Sequence, residues 1–125
     1  MKLLLDTHTL IWWLTNHPTL SQAAKKAISN QDNLVFISAA SAWEIAIKKS
    51  LGKLTAPDDL EVQIENNNFQ PLPITITHGL AIEKLPNHHN DPFDRIIIVQ
   101  AISESMTVVT RDKKFNLYNI SIIKS

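Results

Sequence analysis

The chain has 125 residues, of which 44% are apolar and 19% charged, with 12 basic and 12 acidic side chains and no cysteine. This composition is typical of a globular domain, and we expect residues 1–125 to form one domain that buries enough surface to fold without a disulfide. The absence of cysteine excludes thiolate metal sites and thiol nucleophiles, and the zero net charge argues against indiscriminate binding to nucleic acid.

Short apolar runs predict the strands of a sheet at Leu3–Leu5, Leu34–Ile37, Met106–Val109 and Ile120–Ile123. They are continuous rather than alternating, which is typical of strands that are covered on both faces. The stretch 71–74 adds at most a short edge strand, because its two prolines cannot donate to a ladder. No apolar run approaches the roughly 18 residues that span a bilayer, so we expect a cytoplasmic protein without membrane contact.

Between these runs the sequence predicts helices at Ser21–Asn30, Ala39–Leu51 and Pro57–Asn67, the last opened by Thr55 or by the acids at 58 and 59. The stretch 95–99 is β-branched and favours a strand by propensity. However, Asp91 and Pro92 precede it as an N-cap and a first-turn proline, so we predict a helix. Strands that alternate with helices predict a three-layer α/β/α sandwich with a mainly parallel central sheet.

Four acidic residues lie just after the carboxyl ends of strands or at the start of the helices that follow: Asp6, Glu44, Asp94 and Asp112. Ligands of open α/β sheets bind at that edge. Carboxylates gathered there raise one another's pKa, and a hard divalent cation relieves this repulsion. The sequence therefore predicts that these four residues hold Mg²⁺ or Mn²⁺ and hydrolyse a phosphodiester.

Local explanations compete for two of these acids. Asp6 is a possible N-cap of the helix that follows it. Glu44 completes a Ser-x-x-Glu capping box with Ser41, although Ser38 is a competing cap one turn earlier. Neither explanation accounts for acids at every helix start along one sheet edge.

The remaining acids of the set have local explanations as well. Asp91 is favoured as the N-cap of its helix, with Asp94 at the third helical position. Asp112 has basic neighbours with which it would form weak surface pairs. His88-His89-Asn90 lacks zinc-ligand spacing and is interpreted as a solvated loop, and His8 and His78 as packing or polar-edge residues.

These residues, in this order, resemble the PIN-domain ribonucleases, and among them the VapC-like toxins of type II toxin–antitoxin systems. The resemblance covers nearly the whole chain and rests on four motifs: Leu3–His8, Ser41–Ile45, His89–Arg95 and Val109–Asp112. The third is the most specific, because Asp-Pro-Phe-Asp-Arg after a histidine-bearing loop is typical of one VapC-like subgroup. All four acidic positions match.

The resemblance implies catalytic and metal-binding roles for the four acids. Asp6 and Asp94 are the first candidates for metal ligands, Glu44 and Asp112 complete the cluster, and Asp91 is a candidate outer member. Thr7 and Thr110 are expected to hold these carboxylates by hydrogen bonds.

The resemblance also implies a homodimer that cleaves specific RNA and is silenced by an antitoxin, whose tail lies in a groove beside the active site. One of Trp12 and Trp13 is a candidate for a partner-facing surface, the alternative being that both are half-buried core residues. Six basic residues are candidates for contacts with RNA phosphates or antitoxin acids, or for an ordinary solvated face: Lys48, Lys49, Arg95, Arg111, Lys113 and Lys114.

Two other functions gather acids at strand ends. A phosphatase with Asp-x-Asp after the first strand is incomplete here, because position 8 is His. A receiver-like phosphate-binding domain needs a phospho-acceptor Asp at the end of a central strand and a Lys after a later strand. The sequence shows neither feature clearly. With the four acids neutralised by metal, 12 basic side chains face eight acidic ones, a modest surplus that suits a selective RNA-binding protein.

Overall fold

A five-stranded, all-parallel sheet forms the centre of the computed structural model, which describes residues 1–125. The strands are β1 (Lys2–Leu5), β2 (Leu34–Ser38), β3 (Gln70–Leu72), β4 (Thr107–Thr110) and β5 (Ile122–Lys124). Their order across the sheet is β3-β2-β1-β4-β5. Leu5 at the end of β1 lies opposite Ile37 of β2 and Val109 of β4, so these three strands end at the same edge.

Six α-helices surround the sheet: α1 (Thr7–Leu14), α2 (Gln22–Ser29), α3 (Ala39–Ser50), α4 (Leu60–Asn66), α5 (Ile76–Ala81) and α6 (Pro92–Glu104). Two short 3₁₀ segments occupy Ile82–Lys84 and Lys113–Leu117. Helices α1, α2 and α4 pack on one face of the sheet, α5 and α6 on the other, and α3 contributes to both. This arrangement confirms the predicted α/β/α sandwich. None of the helices has both the length and the apolar character needed to cross a membrane.

The central strand β1 explains why the apolar runs are continuous. Leu3 and Leu5 belong to the core on one face, Leu4 to the core on the other, and all three are fully buried. Burying a leucine side chain contributes roughly 1.5–3 kcal/mol, and a strand covered on both faces gains this at every position. The strand thereby fixes the place of the residue that follows it, Asp6.

Element boundaries differ from the sequence predictions in several places. Strands β4 and β5 begin one and two residues later than predicted, and β3 is the short edge strand expected of a proline-containing segment. Helix α4 begins at Leu60 rather than at Pro57, after Asp59, whose side chain makes no capping hydrogen bond. Helix α6 confirms the prediction of a helix despite its β-branched residues, because Asp91 caps it and Pro92 occupies its first turn.

Helix α5 is absent from the sequence prediction. It begins after Thr75, whose hydroxyl accepts from the backbone N–H of His78 while the His78 ring accepts from the backbone N–H of Thr75. This reciprocal pair is a capping box in which histidine replaces the usual Glu or Gln. The expectation that His78 is a packing residue is confirmed, since its ring is buried.

The predicted start of α3 at Ala39 is confirmed, and the alternative in which Ser41 and Glu44 form a capping box is not what the structure shows. The N-cap of α3 lies one turn earlier, at Ser38, whose hydroxyl oxygen accepts from the backbone N–H of Ala40 at 3.0 Å. Ser41 and Glu44 therefore lie inside the helix, where neither is needed to satisfy its end. Both side chains are buried against α1 instead.

The cap assignment predicts that Ser38→Ala lowers the free energy of unfolding by about 1 kcal/mol, because the orphan N–H of the first turn loses its partner. Urea denaturation followed by circular dichroism measures this. Ser50→Ala is the matched control, since Ser50 is exposed at the other end of the same helix. Equal stability losses in the two variants would contradict the assignment.

Candidate active site

The first acid of the candidate site is fixed by the join between β1 and α1. Asp6 is the N-cap of α1, and its Oδ1 accepts from the backbone N–H of Thr9 at 2.9 Å. Its Oδ2 accepts from the hydroxyl of Thr110, at the end of β4, at 2.6 Å. Asp6 therefore both caps α1 and lies at the edge of the sheet. Each of its carboxylate oxygens keeps a lone pair free for another partner.

Glu44 is fixed by contacts between α1 and α3. It is buried, and its Oε1 accepts from the hydroxyl of Thr7 at 2.6 Å. Its Oε2 pairs with the ammonium group of Lys48 on the same helix. The hydrogen bonds that Thr7 and Thr110 were expected to make to the acids are thus both present.

The third motif places two acids at the start of α6. The Oδ1 of Asp91 accepts from the backbone N–H groups of Phe93 and Asp94, at 2.9 and 3.1 Å, so Asp91 is a helix cap as expected. The side chain of Asp94 is mostly buried and is 18% exposed. Its Oδ2 is 3.5 Å from the Nε2 of His89, which is longer than an ordinary hydrogen bond.

Asp112 follows β4 and is the most exposed of the four acids. Its Oδ1 accepts from the backbone N–H of Lys114 at 2.9 Å, and its own backbone N–H donates to the hydroxyl of Thr110 at 3.1 Å. Its contact with the basic neighbours is therefore through the backbone rather than through a lysine ammonium. Thr110 connects Asp112 to Asp6, because its hydroxyl touches both residues.

The electrostatics of Asp94 show that the acids come together. Burial raises the pKa of Asp94 to about 8, and the negative charges of the nearby acids add to the rise, in the order Asp91, Asp6, Asp112 and Glu44. Burial also raises the pKa of Asp6, against the opposing effect of its hydrogen bonds. Carboxylates from four separate segments therefore share one electrostatic environment at the sheet edge.

The type of donor atom favours a bound metal ion, whereas the distances between the side chains do not form a closed metal site. Oxygen ligands from carboxylates suit Mg²⁺ or Mn²⁺, and burial together with the neighbouring negative charges raises the pKa of Asp94. No three His, Asp or Glu side chains are yet close enough to enclose an ion. The carboxylate oxygens suit a hard cation. To coordinate it, the side chains would have to move closer to one another.

The prediction of a solvated loop at residues 88–90 is wrong for His89. His88 and Asn90 are exposed, but His89 is only 8% exposed. Its Nδ1 lies 2.8 Å from the hydroxyl of Tyr118, and burial lowers the pKa of its ring. The sequence offered one signal, a histidine two residues before the Asp91 cap, but nothing in it indicated Tyr118 as a partner.

Most of the basic candidates already have partners within the protein. Lys48 and Lys49 pair with Glu44 and Asp58. Arg111 donates to the backbone carbonyls of Thr19 and Ser125 and lies over the ring of Trp12. Arg95 is likewise engaged with backbone carbonyls near the site. Only Lys113 and Lys114 of the six are exposed without such a contact.

Of the two interpretations of the adjacent tryptophans, the structure supports the one in which both are half-buried core residues. Trp12 and Trp13 are both half-buried at the margin of the core. The indole N–H of Trp13 donates to the side-chain oxygen of Asn67. Trp43, which the sequence reasoning did not single out, is 55% exposed and packs edge-on against Phe93, between the two acid-bearing helices.

Comparison with known proteins places this arrangement in a family. The PIN domain family model matches residues 3–120. The chain belongs to the PIN-domain family. It is 31% identical over 114 residues to Ribonuclease VapC22 of Mycobacterium tuberculosis (strain ATCC 25618 / H37Rv), a match that covers 89% of this chain and 87% of that protein. The assignment confirms the resemblance seen in the sequence and favours it over the phosphatase and receiver-like interpretations.

Solved structures with this PIN fold include DNA-bound VapBC from Salmonella typhimurium, with a TM-score of 0.71 and 20% identity over 98% of this chain and 97% of that one. VapBC-5 from Mycobacterium tuberculosis, described as a member of the VapBC family of toxin–antitoxin systems, has a TM-score of 0.61 and 17% identity over 99% and 98%. At these identities the likeness concerns the fold.

The raised pKa of Asp94 predicts an unusual pH dependence for the metal-free protein. Between about pH 4 and pH 8 Asp94 keeps in the folded state a proton that it has released in the unfolded chain, so its contribution to the free energy of unfolding falls as pH rises. The slope for one proton is at most about 1.4 kcal/mol per pH unit. Urea denaturation in a chelator at a series of pH values measures it.

Asp94→Asn should flatten this profile, because the amide does not titrate, while Asp32→Asn at an exposed loop position should leave it unchanged. Parallel pH profiles for the wild type and Asp94→Asn would contradict the raised pKa of Asp94.

Proposed function

We propose that this PIN-domain protein is a divalent-metal-dependent endoribonuclease that acts as the toxin of a toxin–antitoxin pair. The observation that carries the proposal is the gathering of acids from four segments at one sheet edge, where Asp94 is mostly buried and its pKa is raised by burial and by the charges of the other acids. A cluster of this kind is costly without a cation and becomes favourable with one. The similarity to a ribonuclease supports RNA as the substrate.

Asp6 and Asp94 are the proposed principal metal ligands, with Asp112 and Glu44 completing the site. Bound Mg²⁺ or Mn²⁺ would supply positive charge to the scissile phosphate and lower the pKa of a water molecule. Asp6 is held rigidly by Thr9 and Thr110, whereas Asp94 has no comparable hydrogen bonds and is the ligand best able to adjust.

The other acids have supporting roles in this proposal. Glu44 is already partly neutralised by Lys48, so it is better placed to bind the outer side of the site than to hold the ion directly. The pKa of Lys48 is raised by its hydrogen bond to Glu44 and keeps the ammonium group charged. Asp112 is exposed and is open to incoming water or phosphate. Hydrolysis adds one water across one P–O bond and leaves a phosphate end and a hydroxyl end.

The proposal predicts that Asp94→Asn and Asp6→Asn each lower the rate of RNA cleavage by about a hundredfold or more, because each removes a negatively charged ligand. Gel assays on total RNA with added Mg²⁺ or Mn²⁺ measure this. Asp32→Asn is the control, since it makes the same change at an exposed position away from the site.

Chelation of the wild-type protein should reproduce the loss, and either metal should restore it. Full activity of Asp94→Asn, or cleavage that persists in a chelator, would contradict the metal site. Retained far-ultraviolet circular dichroism in each variant separates loss of chemistry from loss of fold.

We also propose a cognate antitoxin as partner, supported by the toxin–antitoxin setting of the structural neighbours. Expression of the chain alone should arrest bacterial growth, and Asp94→Asn should relieve the arrest. Co-expression of the short protein encoded beside it should also relieve the arrest and should co-purify with the wild-type chain. Unrestricted growth with the active wild-type chain alone would contradict the toxin role.

A further inference from the structure

His89 presents an unpartnered ring nitrogen to the candidate active site. The residue is 8% exposed, and its Nε2 is fully enclosed without a hydrogen-bond partner. That atom lies 3.5 Å from Oδ2 of Asp94. Burying a polar atom without a hydrogen-bond partner lowers the stability of the fold by about 1–3 kcal/mol. Such an atom beside a proposed metal ligand therefore indicates a functional role.

The hydrogen-bond network favours one of the two ring nitrogens as the carrier of the proton. Arg95 donates to the hydroxyl oxygen of Tyr118 through Nη1 at 3.2 Å. The Tyr118 hydroxyl is then left with its own proton to donate, and Nδ1 of His89 is 2.8 Å away. With Tyr118 as the donor, Nδ1 accepts this bond and the neutral ring carries its proton on Nε2, the atom that faces Asp94.

The ring is also fixed in position. The guanidinium group of Arg95 donates to the backbone carbonyls of Leu85, Pro86 and His89 itself, which fastens the loop 85–89 to the start of α6. The His89 ring packs against the rings of Phe115 and Tyr118, with centroids 6.3 and 5.4 Å away. The donor is therefore held in place before any ligand arrives.

We propose that His89 is a positioning residue that donates from Nε2 to one oxygen of Asp94 and so directs the other oxygen toward the neighbouring acids. Tyr118 and Arg95 set the tautomer that makes this possible. The proposal rests on the proposed function for its catalytic consequence, although the tautomer and its contact with Asp94 do not depend on it. Groups that orient a metal ligand in this way typically change metal affinity or activity 10–100-fold.

The tautomer is tested on the metal-free protein by ¹⁵N NMR of the histidine rings, with His89→Asn used to assign the signals. The expected result is a protonated Nε2 and an unprotonated Nδ1 for His89 in its neutral form. Tyr118→Phe removes the hydroxyl donor and should mix the two tautomers. A proton on Nδ1 in the wild-type protein would overturn the proposal.

The consequence is tested with a pair of substitutions. Gln places its amide near the position of Nε2, whereas Asn reaches only the position of Nδ1. His89→Asn should weaken Mn²⁺ binding, measured by calorimetry, by about tenfold or more and lower kcat on RNA similarly, with KM within about twofold of wild type. His89→Gln should retain both within about threefold. His17→Asn, the same change at an exposed histidine beyond the C-terminal end of α1, should behave as wild type.

Equal losses in His89→Asn and His89→Gln would reduce His89 to a packing residue and overturn the proposal. Unchanged Mn²⁺ affinity and kcat in His89→Asn would do the same. A wild-type protein that binds Mn²⁺ through Asp94 but does not cleave RNA would instead refute the proposed function, since the NMR and calorimetric results stand without cleavage. Thermal melts of all variants identify any that fail to fold.

Discussion

Repulsion between carboxylates at one edge of the sheet is the constraint around which this protein is built. The parallel sheet brings the ends of β1, β2 and β4 to the same edge, and α6 adds its first turn beside them. The burial of Asp94 among four other acids raises its pKa to about 8. A fold that keeps such a cluster gives up stability, and the cation proposed above would offset that cost.

Hydroxyl groups hold the cluster in place against that repulsion. Thr110 donates to Asp6 from the end of β4, and Thr7 donates to Glu44 from the first turn of α1. Both threonines are buried, and each joins segments that are distant in the sequence. Short side chains with one proton to donate are well suited to this task, because they satisfy a carboxylate without neutralising it.

Few cationic side chains pair with the acids at this edge of the sheet. Lys48 pairs directly with Glu44, while Arg95 and Arg111 are occupied with backbone carbonyls that shape the loops and the C-terminus. Asp6, Asp94 and Asp112 consequently have no cationic side chain of their own. The zero net charge of the chain thus conceals a local excess of negative charge at the site and a compensating surplus of basic residues elsewhere.

The sequence by itself determined the layers of the fold and the four acids at the sheet edge, because continuous apolar runs, helix signals and the rule for parallel sheets are all local or topological. Helix α5 was missed although Thr75 is an ordinary N-cap residue, because its six residues bury no apolar face and its capping box uses histidine in place of Glu or Gln. The sequence predicted the start of α3 at Ala39 and left Ser38 and Ser41 as competing caps. In the structure Ser38 is the cap, and Ser41 and Glu44 contact Thr7 instead. His89 was interpreted as solvated because its partners Tyr118 and Asp94 come from other segments, and burial is a property of the assembled chain. Only the tertiary structure decided which acids lose solvent and which keep it, because desolvation depends on what packs around a group and not on its neighbours in sequence.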